Sequence, residues 1–131
     1  KIGGQGLLSR LHVLTSRNFF GRQLASFEAM VEVRDPAVGA MRTHGVFIRA
    51  PAVKKLLDPT VRVLAVLPSS TYRHLAAQTG APLAADVSAD DIIVAVQQGR
   101  IMATAFHPEL TSDHCWHRHF LTLVTRPASQ A

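Results

Sequence analysis

Six short apolar or alternating runs against one stretch of helical spacing set the strongest limit on what this chain of 131 residues can build. "LLSRLHVLTS", 7–16, sets Leu11 and Val13 against His12 and Leu14, the alternation of a strand. "FEAMVEV", 27–33, puts Phe27, Ala29, Val31 and Val33 on one face and Glu28, Met30 and Glu32 on the other, as a half-buried strand does. "GVFIRAP", 45–51, predicts a short buried strand stopped by Pro51. "VRVLAVL", 61–67, predicts another, with Val61, Val63, Ala65 and Leu67 on one side. "DIIVAVQQG" and "RIMATAF" flank Gln98-Gly99 as a hairpin. The helix starts near Thr111 to Asp113, both good N-caps. Its apolar stripe is Trp116, Phe120, Leu123 and Val124, and Pro127 ends it.

Between these runs lie a loop punctuated by Asn18 and Gly21, a turn-rich link "RDPAVGAMRTH", and the stretch 68–90. The last is dominated by Ser, Ala, Thr, Pro and Gly and reads as a surface excursion with one short helical turn around "YRHLAAQ". Six strands to one helix is an unusual census for a self-standing domain of this length.

The composition is globular, 47% hydrophobic and 18% charged. No run of about 18 apolar residues predicts a membrane span. The net charge of +5 is spread along the chain, with only Lys54 and Lys55 adjacent and no aromatic residues interleaved in a basic stripe, so no nucleic-acid partner is expected. One cysteine, Cys115, leaves no internal disulfide and fits a reducing compartment, here the cytoplasm. The start "KIGGQG" has no initiator Met and no apolar leader, which raises the expectation of further sequence upstream.

Three groups of residues carry possible chemistry. His107-Pro108-Glu109 follows an apolar run. On an extended segment, residues two apart point to one side, so Glu109 can hold one imidazole nitrogen and leave the other free as a base. A surface turn with a casual His and Glu is the plainer reading. "SRNFFGRQLASFE" offers Arg17 or Arg22 as a fork for a carboxylate, or only a solvated loop. Arg49 sits inside an otherwise apolar strand, where a guanidinium needs a partner: a structural ion pair or a ligand. "HCWHRH", 114–119, is a poor metal site, because His119 lies about 200° round the helix from His117. No metal is expected. Cys115, in the helix body beside Trp116, reads as a small inert thiol.

Together, "RNFFGRQLASFE", "GVFIRAP" and "ATAFHPELTSD" resemble the glutaminase subunits of pyridoxal 5′-phosphate synthase, a family of class I (triad) glutamine amidotransferases. The resemblance covers most of the chain from about Leu7 to Leu123. It implies an α/β fold, the C-terminal half of a flavodoxin-like class I glutamine amidotransferase domain, strand-rich with a C-terminal helix. Residues 1–131 would be a partial domain, with 68–90 a surface insertion longer than the family's usual turn. It further implies hydrolysis of glutamine to glutamate and ammonia, with His107 as proton shuttle, Glu109 as its orienter, and Arg17, Ile48 and Arg49 lining the glutamine pocket. No cofactor is implied. The implied partner is a barrel-fold pyridoxal 5′-phosphate synthase subunit that receives the ammonia.

One departure bears on the activity. The family's Gly-Thr-Cys-Ala-Gly-like nucleophile elbow and its Gly-Gly-Glu-Ser-like stretch are absent from this sequence, and Cys115 follows the His-Pro-Glu block. The expectation is therefore a piece of a longer enzyme. The alternative is a non-catalytic module that binds glutamine or a partner without the nucleophile.

Overall fold

The computed structural model describes residues 11–84 and 90–125. Seven strands form one sheet: β1 (Val13–Ser16), β2 (Ser26–Val33), β3 (Arg42–Ile48), β4 (Ala52–Leu56), β5 (Arg62–Leu67), β6 (Ile92–Gln98) and β7 (Ile101–Thr104). Two helices, α1 (Ser69–Thr79) and α2 (Cys115–Thr125), and two single 3-10 turns at 36–38 and 108–110 complete the described elements. The spatial order is β1-β4-β6-β5-β2-β3, with β7 paired to the C-terminal part of β6. Every pairing is antiparallel.

Position in the sheet explains each strand's pattern. β5 lies between β6 and β2, and Leu64, Ala65, Val66 and Leu67 are all buried. A central strand covered on both faces has no need to alternate. β2 alternates as its sequence predicts, with Ala29 and Val31 buried and Glu28 and Met30 exposed. The β6–β7 hairpin is present, but its register pairs Gln98 with Ile101, so the two-residue turn is Gly99-Arg100 rather than Gln98-Gly99. Gly99 takes φ 59, the left-handed value that a primed turn requires at its first position.

Other strand expectations change as well. Of the run 7–16, residues 7–10 lie outside the described residues, and the strand itself is Val13–Ser16. β3 begins at Arg42, inside the stretch read as a link, and stops at Ile48, before Pro51. β4, "AVKKL", has no counterpart in the sequence reading, because Lys54 and Lys55 hide a strand whose Ala52 is buried.

The stretch read as a surface excursion changes most. Eleven of its residues form α1, and Tyr72 and Ala76 are buried in the core. The Tyr72 hydroxyl accepts from the Ala84 amide at 2.8 Å, which pins the chain beyond the helix. Gly80 ends α1 at φ 72, a left-handed helix cap. Residues 69–79 are thus part of the packed domain, not a surface loop with one turn. Residues 85–89 lie outside the described residues.

A chain of aromatic rings crosses the core. Phe20 meets Phe27 edge-on at 5.0 Å, Phe27 stacks on Phe47 at 4.7 Å, Phe47 meets Phe106 at 5.8 Å, and Phe106 meets Trp116 at 5.2 Å. Such pairs contribute about 0.5–1.5 kcal/mol each beyond their burial. They join the 17–25 loop, β2, β3, the end of β7 and α2 into one unit.

Among the described residues, no helix is long and apolar enough to cross a membrane.

Candidate active site

The backbone gathers the three sequence blocks at the free edge of β3. Phe19 N donates to Ala50 O at 3.1 Å, and Arg49 N donates to Ala25 O at 2.6 Å. These bonds tie the two ends of the 17–25 loop to the residues that follow β3. His107 N donates to Val46 O at 2.8 Å, which ties the His-Pro-Glu block to the same strand.

His107 stands at the start of the 3-10 turn Pro108–Leu110, with φ −107 and ψ 92. Pro108 suits the first position of that turn, where its missing N–H costs nothing. Leu110 N returns to His107 O at 3.1 Å and Thr111 N to Pro108 O at 3.2 Å. The turn carries Glu109 back against the ring, and His107 Nδ1 lies 2.9 Å from Glu109 Oε2. The predicted pair therefore forms, but for a different reason: a tight turn brings the two together, not an extended segment with both side chains on one side.

The carboxylate fixes the tautomer. With Nδ1–H donating to Glu109, Nε2 is left as the basic nitrogen, and no other hydrogen bond from a described residue engages it. The side chains of His107 and Glu109 are 42% and 58% exposed, so an incoming group can reach the ring. The hydrogen bond from His107 holds the Glu109 carboxyl below its ordinary 4.5. A depressed carboxylate favours the folded state above 4.5, and that contribution is lost as pH falls through the lowered value. We expect the Glu109 side-chain carboxyl carbon to titrate by NMR with a midpoint below 4.5; a midpoint at or above 4.5 would show that the pair does not hold in solution.

Ile48 closes β3 and is 43% exposed, opposite Ser26. Arg49 lies one residue past the strand at φ 46, with its side chain exposed. The premise of a guanidinium inside an apolar strand is thus corrected: the chain turns left-handed at Arg49 and delivers it to solvent. Among the described residues, none pairs with that guanidinium. Arg17 is also exposed, on the loop whose left-handed Asn18 (φ 49) accepts from Gly21 N at 3.1 Å. The fold therefore places Arg17, Ile48, Arg49 and His107 on segments that are bonded to one another. Val46 O and Phe106, which hold His107 from behind, escaped sequence reasoning; a backbone carbonyl leaves no mark in a sequence, and Phe106 reads simply as core.

The thiol and the remaining histidines lie elsewhere. Cys115 is 1% exposed. Burial, with the Asp113 carboxylate beside it, pushes the thiol up to about 11, so it stays protonated at neutral pH and is a poor nucleophile. Asp113 accepts from Cys115 N at 3.0 Å, just ahead of α2. His114 and His117 are exposed, whereas His119 is buried and bonded to Gln97 Oε1 at 2.8 Å. Among the described residues, no group of three or more His, Cys, Asp or Glu is placed to hold a metal ion. We expect Cys115→Ser to keep turnover within about threefold of the parent; an inactive, folded variant would overturn this view of the thiol.

Comparison with known proteins bears on what such a pair serves. The model of the SNO glutamine amidotransferase family matches residues 4–126. The chain belongs to that family. A "probable pyridoxal 5′-phosphate synthase subunit PDX2" from Arabidopsis thaliana is 41% identical over 129 residues, covering 95% of this chain and 50% of the relative. A "pyridoxal 5′-phosphate synthase subunit PdxT" from Herpetosiphon aurantiacus is 38% identical over 123 residues, covering 94% and 52%. A solved glutamine amidotransferase structure superposes with a TM-score of 0.62 at 40% identity, over 88% of this chain and 47% of the other. The chain thus spans about half the length of the relatives it matches. The mixed α/β architecture, strand-rich with a C-terminal helix, is that of its fold neighbour across the matched part.

Proposed function

We propose that this chain supplies the acid–base half of a glutamine-hydrolysing site whose ammonia goes to a pyridoxal 5′-phosphate synthase. The observation that carries the reading is the His107–Glu109 pair, at 2.9 Å with the ring accessible, in a chain of an amidotransferase family. In this reading residues 1–131 are part of a longer amidotransferase domain, and the nucleophile is a cysteine other than Cys115.

The chemistry follows from the free Nε2. Nε2 takes the proton of a cysteine thiol, the resulting thiolate attacks the side-chain carboxamide carbon of glutamine, and the C=O pair moves onto oxygen. As that pair returns, the C–N bond breaks, and His107 passes a proton from Nε2 to the departing nitrogen, releasing ammonia. Neutral His107 then takes a proton from water, which attacks the thioester; the C–S bond breaks and glutamate leaves. Glu109 stabilises the imidazolium formed in between and keeps the ring from turning. Arg17 and Arg49 offer cations for the α-carboxylate of glutamine, and Ile48 gives an apolar wall for its methylenes. No cofactor enters any step.

The relatives' names support the destination of the ammonia, a synthase partner, and the resemblance makes that partner a barrel-fold subunit. Neither nucleic acid nor membrane has a part, and the reaction belongs in the cytoplasm. The test is release of ammonia from amide-labelled glutamine by the complete protein, with and without the synthase subunit of the same organism. Hydrolysis that rises when the subunit is added is expected. No hydrolysis in either case would sink the reading and leave a non-catalytic binding module.

A further inference from the structure

We propose that Gly45 is a positioning residue for His107, acting through the Phe47 and Phe106 rings; this rests on the catalytic reading of His107. Five consecutive residues, the last four of β3 and Arg49 just beyond it, meet at this point. Val46 O takes the His107 amide proton at 2.8 Å, and Ile48 and Arg49, two and three residues on, are exposed. Flanking Val46, Gly45 and Phe47 share the opposite face of the strand, which is buried.

The Phe47 ring leans back over Gly45. A Cβ built on Gly45 would lie 2.9 Å from Phe47 Cε1 and 3.4 Å from Val31 Cγ1. The ring has no solvent to retreat into, since Phe47 is fully buried. It is stacked on Phe27 at an interplanar angle of 9°, meets Phe20 at 6.0 Å, and meets Phe106 edge-on at 5.8 Å. Any side chain at 45 must therefore displace rings, and one of those rings belongs to the residue immediately before His107. A close-packed interior transmits such a shift. Gly45 thereby sets where the base stands relative to Ile48 and Arg49 on the same strand, while Arg49 keeps its own anchor on Ala25 O.

The experiment compares glutamine kinetics of the complete protein, with its synthase subunit, for Gly45→Ala, for Gly45→Ala combined with Phe47→Leu, and for Phe106→Leu. Gly45→Ala is expected to lower kcat by about 10- to 100-fold, the scale of a sub-ångström to 1 Å misplacement, with KM for glutamine within about twofold. Trimming the ring with Phe47→Leu should recover about tenfold of that loss. An unchanged kcat in Gly45→Ala, or a loss that the double variant does not recover, would overturn the proposal. Should Gly45→Ala not fold, Phe106→Leu carries the test: a lowered kcat at constant KM supports the ring route, and an unchanged kcat overturns it. The NMR signals of the His107 ring and amide are read in parallel. A parent protein without glutaminase activity would sink the catalytic reading alone, and His107 signals that stay fixed in Gly45→Ala would sink the positioning role alone.

Discussion

His107→Ala in the complete protein is expected to lower glutamine turnover by about 10²- to 10⁴-fold, the usual weight of a positioned acid–base group, while leaving the fold in place. The ring is half exposed, and its side-chain hydrogen bond is to Glu109, itself on the surface. Removing it opens no cavity, and the His107 N to Val46 O bond belongs to the backbone and survives. The loss should fall on kcat rather than on KM, because in the proposed mechanism the ring moves protons and does not hold the substrate's carboxylate. Steady-state ammonia release, with thermal unfolding as the control for folding, checks this. Turnover within tenfold of the parent would remove His107 from the mechanism.

The largest stability effect is expected at Trp116. Trp116→Ala should cost about 3–5 kcal/mol, the range for deleting a buried aromatic ring, measured by denaturant unfolding. The indole is 2% exposed and ends the aromatic chain against Phe106. Its Nε1–H donates to Thr43 Oγ1 at 3.0 Å, a bond buried between α2 and β3. The truncation leaves that hydroxyl without its donor as well as a hole. Phe120→Ala, one turn along the same helix, should cost less than about 1 kcal/mol, since Phe120 is 45% exposed. Equal losses at the two positions would mean that α2 is rotated from the orientation described here.

That contrast marks where the sequence misled. Alternation and turn residues foretold β2, β5 and the β6–β7 hairpin, because burial on one face or both leaves a direct mark on residue type. The helix was also legible, but its facing was not. The residues buried from α2 are Cys115, Trp116, His119 and Leu123, a face turned by about 70° from the stripe of Trp116, Phe120, Leu123 and Val124. Two buried polar contacts accompany that facing, Trp116 to Thr43 and His119 to Gln97. Neither can be read from hydrophobicity, which assigns His119 to water. α1 is hidden for a related reason: a composition of Ser, Ala and Thr resembles a loop, yet Tyr72 and Ala76 anchor it in the core.

The candidate site was legible in part. His107 and Glu109 were paired by their spacing, although a 3-10 turn rather than an extended segment brings them together. Arg17, Ile48 and Arg49 came from the family resemblance. Their gathering at the edge of β3 depends on backbone bonds between residues far apart in sequence, such as Phe19 N to Ala50 O. The left-handed turn that carries Arg49 out of the strand could not be read from an Ile-Arg-Ala run.

In the proposed mechanism His107 and Glu109 serve a cysteine nucleophile other than Cys115. An electrophilic glutamine analogue bearing a diazo ketone reports that nucleophile directly, by alkylating it. The complete natural protein, treated with the analogue and mapped by peptide mass spectrometry, should carry one label on a cysteine outside residues 1–131, blocked by excess glutamine and slowed in His107→Ala. A label on Cys115, or no label at all, would contradict the account.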